Sequence, residues 1–106
     1  MISRETITEA VRRLVETASP RKVILFGSHA TDRAEEESDL DFLVVETEIE
    51  NIPEEMVRLR RSLRGMGVSV DILVVSEQDV HEWGHLPGSV LYTALREGKV
   101  LYENPC

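Results

Sequence analysis

Three aspartates and one small-residue turn are the side chains here whose types and spacing could do chemistry. Gly27-Ser28 closes the apolar run Val23-Ile24-Leu25-Phe26, and Ser38-Asp39-Leu40-Asp41 opens the apolar run Phe42-Leu43-Val44-Val45. In a strand, residues i and i+2 point to the same face, so Asp39 and Asp41 project together beside the Gly-Ser turn. Two like charges side by side are unfavourable unless something neutralises them, and hard cations such as Mg²⁺ prefer carboxylate oxygens. A third carboxylate, Asp71, lies within Val70-Asp71-Ile72-Leu73-Val74-Val75, where burial without a partner would be expensive. If its strand neighbours that of Asp41, the three converge. The expected site holds one or two Mg²⁺ or Mn²⁺ ions and a nucleoside triphosphate, with the cation bridging carboxylates and phosphate oxygens. Gly27 would allow close backbone approach, Ser28 and the following amides would hold the β- and γ-phosphates, and Asp71 could orient or deprotonate an attacking hydroxyl.

Singly, each feature has a structural reading. Gly-Ser is a common turn, Asp-x-Asp a common strand entry, and Asp71 could be an edge-strand charge that discourages aggregation. Their joint occurrence at strand ends favours the metal–nucleotide site. Two other chemistries fail on order and pattern. In haloacid-dehalogenase-like phosphatases the aspartates follow an apolar strand, whereas here the run comes after them. No G-x-x-x-x-G-K-[ST] motif is present either.

These residues need elements to position them. Residues 3–18 read as a helix with Ile7, Val11, Leu14, Val15 and Ala18 on one stripe, stopped by Pro20. Residues 22–26 form a short strand apolar on both faces, 28–37 a loop with room for one helical turn near Ala30, and 40–45 a second strand. A helix begins around Asn51-Ile52-Pro53 with Met56, Leu59, Leu63 and Met66 inward, and ends at Gly65 and Gly67. A strand over 68–75 follows, then a helix capped by Ser76 to about Trp83, a helix over 87–97 with Val90, Leu91, Ala94 and Leu95 inward, and a last strand over 99–102. The fold class is α/β, a small mixed sheet packed with helices. The first two strands are joined too tightly for a crossover helix and should be antiparallel, while the second and third, joined through a helix, could be parallel.

The 106 residues fit one domain spanning 1–106, and 42% hydrophobic residues can build a core. No apolar run approaches the roughly 20 residues of a membrane span. Met1-Ile2-Ser3-Arg4-Glu5 does not read as a signal peptide, and a single cysteine, Cys106, allows no intrachain disulfide, so a cytoplasmic location is expected. The net charge of −8 disfavours stable nucleic-acid binding and is compatible with a basic protein partner or a metal-complexed nucleotide.

Gly27-Ser28, Ser38-Asp39-Leu40-Asp41 and Asp71 together resemble the minimal nucleotidyltransferase domain of the DNA polymerase beta-like superfamily, whose pattern is G-S-x-A-R-G, a variable loop, S-D-x-D-[LF] and a later acidic residue. The resemblance covers nearly the whole chain. It implies the polymerase beta-like nucleotidyltransferase fold, Asp39, Asp41 and Asp71 as catalytic metal ligands, and Gly27, Ser28 and Ser38 as nucleotide-binding residues. Small members of this kind are antitoxins of HEPN–MNT toxin–antitoxin pairs, which transfer AMP from ATP to a tyrosine of the HEPN ribonuclease. The implied partners are therefore ATP, Mg²⁺ or Mn²⁺, and a HEPN toxin in a hetero-oligomer. The alternatives are an antitoxin that acts by binding alone and a transferase acting on a small molecule such as an aminoglycoside or on RNA, the last disfavoured by the acidic balance. One departure bears on them: where the pattern has Arg-Gly, this chain has Thr31-Asp32, which trades a bidentate phosphate ligand for a hydroxyl and a repelling charge, with Arg33 one residue away.

His81-Glu82-Trp83-Gly84-His85 is a secondary cluster. The histidines have i, i+4 spacing, but Gly84 and Pro87 argue that the helix ends before His85, and no third ligand is evident. Trp83 reads as cover for the core edge, with stacking on an adenine or anchoring of a partner as alternatives. Arg58, Arg60, Arg61 and Arg64 read as a solvated helix face that could attract an acidic patch.

Overall fold

A computed structural model of the chain describes residues 3–27 and 40–104. The elements run α1 (Arg4–Ala18), β1 (Lys22–Phe26), β2 (Leu40–Glu46), α2 (Ile52–Ser62), β3 (Val70–Ser76), α3 (Glu77–Trp83), α4 (Val90–Glu97) and β4 (Lys99–Glu103). Caps set most of the helix limits. Ser3 accepts the Thr6 N–H and starts α1, and Ser19, at φ 46°, returns its own N–H to Val15 before Pro20. Asn51 accepts the Glu54 N–H at 3.0 Å ahead of Pro53. Ser76 and Asp79 form a reciprocal capping box, which turns the end of β3 directly into α3.

The four strands order as β3-β2-β1-β4. β1 pairs antiparallel with β2 and with β4, and β2 pairs parallel with β3 in unbroken register from Leu40↔Val70 to Glu46↔Ser76. The antiparallel first pair and the parallel second pair are as expected from the connection lengths. One face of the sheet carries Val23, Leu25, Leu40, Phe42, Val44, Ile72 and Val74 against Ala10 and Leu14 of α1 and Leu59 of α2. The other carries Ile24, Leu43, Val45 and Val75 against Leu91 and Ala94 of α4. β2 is therefore covered on both sides, which explains its continuous apolar run.

Two expectations need correction. The last helix starts at Val90 and not at residue 87, because Gly88 takes φ +92° and Ser89 then caps, accepting the Tyr92 N–H at 3.0 Å. Val90, expected inward, is 64% exposed, since the first residue of that helix precedes the sheet contact made by Leu91 and Ala94. Arg58 is exposed, as expected of a solvated helix face, and it also forks onto both Glu55 oxygens at 2.6 and 2.8 Å and donates to the Thr17 carbonyl at 2.8 Å, tying α2 to the end of α1.

Sequence reading also passed over Glu46. It ends β2 with a buried side chain, and its Oε2 has no hydrogen-bond partner among the described residues. Burial, then the hydrogen bond and charge of Glu55, push its carboxyl up to about 8. Glu55 moves the other way, held down by its hydrogen bonds from Arg58. Glu46 therefore keeps its proton in the fold near neutral pH while Glu55 carries the charge that Arg58 neutralises.

Candidate active site

The parallel register of β2 and β3 places Asp41 directly beside Asp71. Neighbouring strands run about 4.8 Å apart, and residues in register share a face, so the two carboxylates leave the sheet together. They are on the face that carries Leu43, Val45, Leu73 and Val75, two and four residues further along the same strands. Asp71 is exposed and Asp41 half-buried, so the pair opens to solvent at the end of the sheet where β2 and β3 begin. The third strand adds to the row: Phe26, the last residue of β1, is the register partner of Asp41 on its other side.

Gly27 then turns the chain away from β1 with φ +78°. A Cβ on this residue would lie 2.5 Å from Asp41 Oδ2, well inside any real contact. The space a side chain would fill is where the Asp41 carboxylate sits. Glycine is required here on two counts, the left-handed backbone and the close approach of backbone to carboxylate.

Asp41 and Asp71 are thus brought together with Gly27. Ser28, Ser38 and Asp39 lie outside the described residues, as do Thr31, Asp32, Arg33 and the expected loop over 28–37. Among the described residues no three His, Cys, Asp or Glu side chains gather into a metal cage, so these supply two oxygen donors, Asp41 and Asp71. Two carboxylates on adjacent strands, facing one way and open to solvent, fit the hard-oxygen preference of Mg²⁺ and Mn²⁺. The Asp71 side chain makes no hydrogen bond or ion pair among the described residues, which leaves its oxygens available to a cation.

The histidine pair does not form one helical face. α3 stops at Trp83, and His85 follows in a turn, with both imidazoles exposed. Trp83 is 55% exposed, more than cover for the core edge would need. A feature missed from sequence lies beside Asp71. A cleft of about 860 Å³ runs from the end of α2 along the chain that leads into β3, with Arg60, Arg61 and Arg64 on one wall and Asp71 at its limit. The signal was the arginine spacing itself, but a helix face does not reveal which groove it borders. No helix among the described residues is long and apolar enough to cross a membrane.

Comparison with known proteins gives a consistent result. The family model described as Polymerase beta, Nucleotidyltransferase matches residues 7–105. Among solved structures, a Sulfolobus solfataricus protein described as a nucleotidyltransferase aligns with TM-score 0.67 at 20% identity, covering 94% of this chain and 79% of that one. A spectinomycin adenyltransferase from Enterococcus faecialis, solved with ATP and spectinomycin, aligns with TM-score 0.66 at 20% identity over 94% of this chain and 54% of that one. A toxin–antitoxin structure with AMP-PNP aligns with TM-score 0.56 at 18% identity over 98% of this chain and 76% of that one. At these identities the structural likeness speaks for the fold. No curated protein matches the chain in sequence.

Proposed function

The chain belongs to the polymerase beta nucleotidyltransferase family, and from that membership we propose that it is a cytoplasmic antitoxin that transfers AMP from ATP to a tyrosine hydroxyl of a HEPN ribonuclease toxin. The observation that carries the reading is the register pairing of Asp41 with Asp71, with Gly27 packed against the Asp41 carboxylate. The likeness to a toxin–antitoxin structure with AMP-PNP over nearly all of this chain supports the choice of partner and nucleotide.

In this reading Asp39, Asp41 and Asp71 hold a divalent cation, and Gly27, Ser28 and Ser38 hold the triphosphate. A bound Mg²⁺ or Mn²⁺ supplies positive charge against the triphosphate and the departing pyrophosphate. The chain's own residues do the rest. Gly27 sets the position of the Asp41 carboxylate. Asp71 accepts a hydrogen bond from the incoming hydroxyl and takes its proton as the oxygen attacks the α-phosphorus. The new O–P bond forms as the bond to the β-phosphate bridging oxygen breaks, and pyrophosphate leaves.

The test is mass spectrometry of the toxin co-expressed with wild-type chain or with Asp71→Asn. The reading expects AMP added by wild type and little or none by the variant, with both still bound to the toxin. An unmodified toxin that is neutralised equally by both would identify a binding-only antitoxin. Adenylylation of spectinomycin or another aminocyclitol in place of protein would identify the small-molecule alternative.

A further inference from the structure

The cleft beside Asp71 differs in charge from the rest of the molecule. The chain has 20 acidic and 12 Lys and Arg residues, so acidic partners for arginine are plentiful. Arg12, Arg13, Arg21 and Arg58 all take them, from Glu9, Glu16, Glu77 and Glu55. Arg60, Arg61 and Arg64 do not: their exposed guanidinium groups make no hydrogen bond or ion pair among the described residues, and of the other described arginines Arg4 and Arg96 also lack an acidic partner, each away from this cleft. Arg60, Arg61 and Arg64 line one cleft, together with Met66 and Val68 and ending at Asp71. Val70 and Asp71, the first two residues of β3, also line it, and β3 stands at one edge of the sheet. An edge strand presents backbone N–H and C=O groups that another extended chain can pair with.

We propose that this cleft receives an extended acidic segment of the protein that accepts the nucleotidyl group. Positive charge from three arginines, apolar Met66 and Val68, and a β3 edge that pairs with no further strand among the described residues together match alternating acidic and apolar side chains on an extended chain. A phosphate group would use only the arginines and would leave the apolar lining and the strand edge unexplained. The charge gradient gives direction. Acidic side chains would lie against Arg60, Arg61 and Arg64, and a neutral hydroxyl residue is favoured beside Asp71, which would repel another carboxylate. The cleft thereby holds the acceptor at the start of the strand that carries Asp71. This deepens the proposed function, resting on it for the acceptor being a protein.

The test uses the full chain and a fluorescein-labelled peptide of alternating glutamate and valine, read by fluorescence anisotropy without nucleotide. Wild type should bind it, more weakly as salt is raised. The triple change Arg60→Gln, Arg61→Gln, Arg64→Gln should weaken binding by about tenfold, the summed effect of three exposed ion pairs. The matched glutamine–valine peptide should bind wild type as weakly as the glutamate peptide binds the variant. If the triple variant loses its cooperative melt, Arg61→Gln and Arg64→Gln singly should each weaken binding about twofold. Equal binding of the two peptides, or of wild type and variants, overturns the proposal. So does displacement of the peptide by inorganic pyrophosphate, which would assign the arginines to phosphate. Because the assay involves no transfer, its failure leaves the nucleotidyltransferase reading standing. Absent transfer with intact peptide binding would strike that reading alone.

Discussion

Replacing Gly27 by alanine perturbs the site through one contact, and the chain contains its own control. Gly27 has φ +78° and Gly67 has φ +75°, so alanine suffers the same left-handed strain at both. That strain costs about 1–2 kcal/mol. Around Gly67 nothing among the described residues lies within 4 Å of the added carbon, whereas at Gly27 it would meet Asp41 Oδ2 at 2.5 Å. To restore ordinary contact the carboxylate must retreat by about 1 Å. A carboxylate rotates at modest cost, so most of the penalty should fall on function and not on folding. We expect both variants to melt roughly 5–10 °C below wild type, within a few degrees of each other. A displacement of about 1 Å in a positioned group can cost about a hundredfold in rate. Gly27→Ala should therefore lose about two orders of magnitude in AMP transfer. Gly88→Ala, with φ +92° and open space around it, should keep wild-type transfer. The assay is transfer of labelled AMP to the co-purified toxin beside thermal melts of all three variants. Wild-type transfer by Gly27→Ala would refute the reasoning, and so would a Gly27→Ala melt far below that of Gly67→Ala, since it would make Asp41 a rigid structural group.

Two further predictions concern pH and the nucleotide loop. Glu46 is raised from 4.5 to about 8 in the fold, so the folded state binds its proton more tightly than the unfolded chain. That contribution to stability is complete below pH 4.5, declines as pH rises towards 8, and is flat beyond. The shift alone would be worth up to about 5 kcal/mol; with Arg58 and solvent nearby, about 2 kcal/mol, or roughly 10 °C in melting temperature, is expected. Glu46→Gln should remove this slope, so melting curves of wild type and variant from pH 5 to pH 9 should converge at the acid end and separate at the alkaline end; parallel curves would show Glu46 ionised throughout. Restoring the family pattern with Thr31→Arg and Asp32→Gly should tighten Mg-ATP binding by about tenfold through a charge-assisted phosphate contact and the loss of a repelling carboxylate, measured by calorimetry; unchanged affinity would place these residues away from the phosphates.

Much of this arrangement is legible in the residues themselves. β1 could be bounded by Pro20 on one side and Gly27 on the other, and Asn51 and Ser76 mark their helices because a side chain that accepts a backbone N–H is a local event. Connection length decided that β1 and β2 run antiparallel. The register that puts Asp41 against Asp71 is different in kind, because it follows from packing both faces of β2 at once. Gly27 read as room for a phosphate, while its contact with Asp41 depends on where a neighbouring strand lies. Glu46 was silent for the same reason: the proton it holds comes first from burial and then from Glu55 on the following helix, against the opposing charge of Arg58.

The pairing of Asp41 and Asp71 as a metal–nucleotide site is the central claim, and calorimetric titration of Mn²⁺ and ATP into wild type, Asp41→Asn and Asp71→Asn tests it most directly. Wild type should bind ATP with Mn²⁺ and much more weakly without it. Each variant should lose most of the metal-dependent affinity, and, because two adjacent like charges are relieved, should melt at or slightly above the wild-type temperature when no metal is present. Equal Mn²⁺-dependent affinity in all three proteins, or a large loss of metal-free stability in either variant, would contradict it.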